Sequence, residues 1–121
     1  MSASREHVRA FLPLPVAEFH ILVALAEGAR HGYGVMRDVE ARTDGLVRLG
    51  PGTLYSALRR MSERGLIEES AAPAAREEDS RRLFYRITTL GRDVAAAEGS
   101  RMEACVALIR GTRLVARMES A

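Results

Sequence analysis

GPGTLYSALRRMSERGLI, residues 50–67, reads as a short amphipathic helix entered through a turn and left through a glycine. At about 100° per residue, Leu54, Ala57, Leu58 and Met61 share one side. Tyr55, Ser56, Arg59, Arg60 and Glu63 fall on the other. One face is therefore core. The other carries a phenol, a hydroxyl and two guanidinium groups, which suit phosphate oxygens and guanine edges in a major groove. Gly50-Pro51-Gly52 is a turn, and Thr53 or Gly52 is the expected cap of a helix over about 52–64. Gly65 stops the helix, and Leu66-Ile67 begins something extended.

Upstream, VAEFHILVALAE (16–27) is apolar almost all round, the mark of a buried helix, with Gly28 as its expected C-cap. A second helix is expected over about 32–42. Tyr33, Met36 and Val39 would face inward on it, with Arg37, Asp38 and Arg42 outward. Residues 1–15 read as an N-terminal arm in which Pro13 and Pro15 favour extended backbone and Val8, Phe11 and Leu12 can pack. Downstream, two strands are expected, Leu66–Ser70 and Arg82–Thr88. LFYRIT alternates Leu83, Tyr85 and Ile87 on one face with Phe84, Arg86 and Thr88 on the other. The intervening AAPAAREEDSRR is too long for a tight turn and reads as a mobile tip. In it Glu77, Glu78 and Asp79 would repel phosphate, leaving Arg76, Arg81 and Arg82 as backbone-contact candidates. Thr88 or Thr89 caps a last long helix. Its apolar positions include Leu90, Val94, Ala97, Met102, Cys105, Val106 and Ile109, and a break is expected near Gly111. Three helices followed by a hairpin make a winged helix-turn-helix, so the fold class is mainly α with a small β-hairpin wing.

Bulk properties narrow the function classes. The 121 residues fit one domain and an appended helix, 47% hydrophobic and 28% charged. The net charge is only +2, but residues 30–64 hold seven Arg against four acids and residues 76–92 hold five against three. The positive charge thus sits on the helix-turn-helix and the wing. All 18 basic residues are Arg, which a GC-rich genome explains better than a binding role does. A single cysteine, Cys105, excludes an intramolecular disulfide and fits a reducing compartment. No apolar run reaches the roughly 18 residues of a membrane span, and Arg5, Glu6 and Arg9 interrupt any signal-peptide core, so a cytoplasmic location is expected. His7, His20 and His31 lack metal-site spacing, and no nucleophile elbow, phosphate loop or paired carboxylates are present. No cofactor, no metal and no enzyme activity are expected.

FHILVALAEGARHGYGVM (19–36), GPGTLYSALRRMSERGLIEE (50–69) and RRLFYRITTLGRDV (81–94) together resemble the PadR family of bacterial transcriptional regulators, in its short, compact branch. The resemblance covers roughly residues 14–98. It implies a winged-helix DNA-binding domain, 16–88, joined to a C-terminal dimerisation helix region, 89–121. It also implies a homodimer on a near-palindromic operator, usually as a repressor, and a small hydrophobic effector held near the dimer interface. Some members hold that effector with a Trp, and this chain has none. The candidate DNA-binding residues are Tyr33, Thr53, Tyr55, Ser56, Arg59, Arg60, Arg76, Arg81 and Arg82. Packing of Tyr55 on the wing, a capping role for Thr53, a core role for Tyr33 and a solvated face for the two helical arginines are the competing readings. Leu90, Val94, Met102, Cys105, Val106 and Ile109 are the candidate dimerisation residues, with a redox role for Cys105 if it faces the dyad. Two other readings stand beside this one. In the first, the module is a protein-interaction adaptor without specific DNA binding; in the second, it is chiefly a sensor with a ligand between its first and last helices.

Overall fold

The computed structural model describes residues 4–71 and 82–121. Helix α1 (Arg5–Arg9) is one short turn capped by Ser4, whose hydroxyl accepts from the His7 N–H at 3.1 Å. Helix α2 (Val16–Leu25) is the buried helix expected from its composition, with Ile21, Leu22, Ala24 and Leu25 fully enclosed. It ends two residues earlier than expected, with Ala26 rather than Gly28 in the cap position. Strand β1 (Arg30–His31) leads directly into α3 (Gly32–Arg42), and α4 (Pro51–Glu63) follows after an eight-residue connection, 43–50. Strands β2 (Ile67–Ser70) and β3 (Phe84–Ile87) pair antiparallel, with Ile67 opposite Ile87 and Ser70 opposite Phe84. Helix α5 (Thr89–Arg110) and the short α6 (Val115–Ser120) complete the chain.

Local chemistry sets these boundaries. Helix α4 starts earlier than the expected cap: Gly50 is the N-cap and Pro51 takes the first helical position. A proline there loses no hydrogen bond and brings a preset φ, so Thr53 lies within the first turn rather than capping it. At the other end Gly65 has φ +80°, the Leu66 N–H reaches Met61 O at 3.0 Å, and the Gly65 N–H reaches Ser62 O at 3.2 Å. This pair of bonds is a Schellman cap, closed by the buried Leu66 and Met61 side chains. Helix α5 is capped by Thr88, whose hydroxyl accepts from the Gly91 N–H at 3.0 Å and donates to Gly65 O at 2.6 Å. One side chain thus ties the end of α4 to the start of α5.

The sheet adds a third strand to the expected hairpin. It has three strands in the order β1-β3-β2, because Arg30 and His31 pair with Tyr85 and Phe84. Two residues between helices carry no periodicity, so this strand leaves no pattern in the sequence. The alternation in β3 also differs from expectation. Leu83 is exposed, while Phe84 and Tyr85 are both buried. The His31 ring stands edge-on to Phe84 at 5.3 Å and shelters a face that a two-stranded wing would leave open.

The core gathers α2, Val35 and Val39 of α3, Leu54, Leu58 and Met61 of α4, Leu66 and Ile67 at the wing, and Val94 of α5. Each such side chain contributes about 1.5–3 kcal/mol by leaving water. The N-terminal arm joins this core through Val8, Phe11 and Leu14. Its Leu14 N–H donates to Glu98 Oε2 of α5 at 2.8 Å. Among the described residues, no helix is long and apolar enough to cross a membrane.

Candidate nucleic-acid interface

The polar side of α4 is solvent-facing from end to end: Thr53, Tyr55, Ser56, Arg59, Arg60 and Glu63 are all exposed. Its inner side, Leu54, Ala57, Leu58 and Met61, is fully buried, as the periodicity requires. Tyr55 is half exposed. Its ring lies against the start of α3, where a Cβ on Gly32 would stand 2.7 Å from the Tyr55 hydroxyl. Tyr55 therefore has one edge packed on the start of α3 and one open to solvent.

Of the two readings of Tyr33, the core role is set aside: its ring is 54% exposed, and Val35 is the residue buried with Val39. The Arg37 guanidinium lies 5.8 Å from its ring centroid, a cation–π distance. Tyr33, Tyr55 and Arg82 line one shallow concavity with His31, Gly32 and Tyr85. Residues from α3, α4 and the entry to β3 are thus brought to one patch. Arg82 lies beside His31, its Nη1 2.8 Å from Nε2, while His31 Nδ1 accepts from the Gly34 N–H at 3.0 Å. His31 is thus the N-cap of α3 as well as a neighbour of Arg82. Arg76 and Arg81, and the acidic stretch Glu77 to Asp79, lie outside the described residues.

The two arginines of α4 are not equivalent. Arg59 has no ion-pair or hydrogen-bond partner among the described residues. Arg60 donates to Ser56 Oγ at 3.0 Å and sits 3.5 Å from Glu18 Oε2. Arg64, one turn further, is 3.7 Å from Glu18 Oε1 and stacks over the Phe11 ring at 4.5 Å. Glu18 and Arg64 were not among the expected site residues. Glu18 lies in an otherwise apolar helix, and a lone acid in such a run is the signal that would have marked it.

Tyr85, behind the patch, has its phenol pKa pushed up, first by burial and then by Glu69 and Tyr55, so it stays a neutral hydrogen-bonding group. On α5, the side chain of Arg101 and the Leu14 N–H hold the Glu98 carboxyl below its ordinary value against the opposing effect of burial. The candidate dimerisation residues divide. Val94 is wholly enclosed in the chain's own core and Leu90 packs against it. Met102, Cys105 and Val106 are exposed, and Ile109 is partly so. Among the described residues there is no cluster of three or more His, Cys, Asp or Glu placed to hold a metal.

The sequence profile described as the transcriptional regulator PadR-like family matches residues 21–97. An uncharacterized 37.1 kDa protein in a transposon of Streptomyces fradiae is 34% identical over 86 residues, 71% of this chain but only 23% of that protein. A second relative, from Lysinibacillus sphaericus, is 29% identical over 60% of this chain and 64% of its own length. The chain thus spans less than two thirds of both relatives. Among solved structures, a transcriptional regulator from Clostridium thermocellum is similar at a TM-score of 0.67 and 27% identity, covering 92% of this chain and 98% of that one. The Bacillus subtilis PadR, solved in complex with operator DNA, shares the fold at a TM-score of 0.58 and 17% identity, over 69% of this chain and 46% of that one. With the profile covering most of the chain and the winged-helix architecture in place, this protein belongs to the PadR-like family of transcriptional regulators.

Proposed function

We propose that the protein binds operator DNA in a sequence-specific manner as a homodimer and acts as a repressor. The observation that carries this reading is the continuous exposed surface formed by Thr53, Tyr55, Ser56 and Arg59 of α4 with Tyr33 and Arg82 beside it. Helix α4 enters the major groove, where Arg59 reaches guanine edges and Ser56 and Tyr55 reach base or phosphate oxygens. Thr53 meets the phosphate next to the helix N-terminus. The Bacillus subtilis PadR of the same fold was solved in complex with operator DNA, which supports DNA as the partner.

The second half of α5 supports the dimer. Past Glu98 none of its residues is buried, and Met102, Val106 and Leu108 are exposed, as is Leu114 before α6. A helix of this kind buries its apolar side against a second copy. In this reading 16–88 is the DNA-binding unit and 89–121 sets the distance between two α4 helices at about 34 Å, one turn of B-DNA. A small hydrophobic effector would act by favouring a different spacing, and so must bind the two states unequally. The broad open groove between α1 and α5, about 820 Å³ and lined by Val8, Leu12, Ala96 and Ala97 among others, offers it room.

A gel-shift titration on the DNA upstream of this protein's own gene, with random competitor and at two salt concentrations, tests the reading. Specific, salt-sensitive binding is the expected result. Binding lost equally to random DNA favours the adaptor reading instead.

A further inference from the structure

Glu18 is 1% exposed, although it carries a charge and sits in the most apolar helix of the chain. Nothing in α2 compensates it. Its two oxygens face guanidinium groups at the end of α4, Arg60 of the last turn at 3.5 Å and the C-cap residue Arg64 at 3.7 Å, and Oε1 has no hydrogen-bond partner. The two arginines are thus its compensation, and both are nearly half exposed on the edge of the surface that would meet DNA. A phosphate that drew them away would leave a buried carboxylate uncompensated, which is costly. The hold is therefore stronger than that of a surface pair, and salt weakens it less. Phe11 beneath Arg64 and Ser56 beside Arg60 add a second fixed contact to each.

We infer that Glu18 is a specificity-determining residue: it withholds Arg60 and Arg64 from phosphate, so that sequence-independent binding stays weak and the unpaired Arg59 carries the α4 charge that reaches DNA. This deepens the proposed function and rests on it. Two more phosphate contacts per protomer would raise affinity for every duplex alike. Discrimination between operator and other DNA depends on the ratio of the two affinities. A buried acid under the recognition helix keeps that ratio high without removing the arginines, whose stems and charges still fasten α4 to α2 and the arm.

The test measures binding of the full chain to a random-sequence duplex by fluorescence anisotropy over a potassium chloride series. Glu18→Gln keeps the shape and removes the charge. It should bind the random duplex about tenfold tighter at low salt, with a salt slope steeper by about 0.9 for each phosphate gained. Adding Arg60→Gln and Arg64→Gln to that variant should restore the original slope. A folded Glu18→Gln protein with unchanged or weaker binding overturns the inference. A merely structural role would not steepen the slope. If Glu18→Gln does not fold, Arg64→Gln alone decides. A withheld arginine predicts less than about a threefold loss on the random duplex, and a lost phosphate contact a slope shallower by about 0.9. A wild-type chain that binds no duplex at low salt overturns the DNA-binding reading and this inference with it. Wild-type binding with an unaltered slope in the variant overturns this inference alone.

Discussion

The Tyr55 ring occupies the space that a side chain on Gly32 would need: a Cβ there would lie 2.7 Å from Tyr55 Oη and 2.9 Å from two of its ring carbons. The first residue of α3 and the exposed face of α4 are therefore in direct register. Gly32→Ala should push the ring outward. The clash is with the movable end of a side chain, and alanine gains up to about 1 kcal/mol of helix propensity over glycine. Stability should accordingly change little, while operator affinity falls several-fold because the hydroxyl is displaced. Thermal melts and anisotropy on the same preparation separate the two. Unaltered affinity would show that the position of Tyr55 does not matter to binding.

Gly91 is a different case. A Cβ on it would stand 2.1 Å from the Leu66 carbonyl oxygen and 2.9 Å from Ile87 Cγ1. No rotamer relieves a backbone contact, so the start of α5 must move away from the wing. Gly91→Ala should cost about 3 kcal/mol or more, at the upper end of overpacking effects. A urea titration reads this as a lower midpoint, and a midpoint within error of the wild type would contradict the close approach of α5 to the wing.

Much of this architecture was legible beforehand, for reasons visible in particular residues. The 3.6-residue spacing of Leu54, Ala57, Leu58 and Met61 determined which face of α4 is core, and so which face carries Tyr55, Ser56 and Arg59. Strand β1 was not legible, because two residues have no period. The sequence left Tyr33 open between core and surface, because it and Val35 stand about 200° apart on α3 and only tertiary packing chooses which of the two faces is buried. Glu18 was not legible because its partners lie 42 and 46 positions away, in the last turn of α4 and at its C-cap. Helical periodicity says which side of α2 a residue takes and nothing about what comes to meet it.

Arg59 and Arg60 are neighbours in sequence and should be unequal on DNA. Arg59 is unpaired among the described residues, whereas Arg60 is shared with Ser56 and Glu18. Arg59→Ala should weaken operator binding by roughly 1–3 kcal/mol, the range of a guanine-reading arginine. Arg60→Ala should cost less. Equal losses, measured by competition with labelled operator, would mean that Arg60 leaves Glu18 in the complex.

The Glu98 carboxyl connects pH to the attachment of the N-terminal arm. Its folded-state pKa lies below the ordinary value, chiefly through the hydrogen bond from Arg101, and the Leu14 N–H lowers it further. A depressed carboxyl pKa contributes stability that is complete above the unfolded value, about 4.3, and is lost as pH falls through the folded one. Wild-type thermal stability should therefore drop below about pH 4.5. Glu98→Gln should be less stable at neutral pH and should show a smaller acid loss, so the two melting curves converge on acidification. Parallel curves from pH 7 to 3 would assign the acid sensitivity to other carboxylates.

Val106 lies on the part of α5 that has left the chain's own core. Val94, twelve residues earlier on the same helix, is fully enclosed, whereas Val106 and Leu108 stand largely in solvent. Charge placed at Val94 would unfold the monomer and say nothing about assembly. Val106 is exposed and lies outside the chain's own core, so Val106→Glu should leave the helical circular-dichroism signal intact. If this face joins two protomers, the same change buries a carboxylate without a partner in the interface, a severe penalty. Light scattering after size exclusion should then show a monomer where the wild type is a dimer. Operator affinity should fall far more than one lost contact explains, because the second α4 would no longer be held at the spacing of the next major groove. A Val106→Glu dimer that still binds operator at wild-type strength would move the interface off this face of α5.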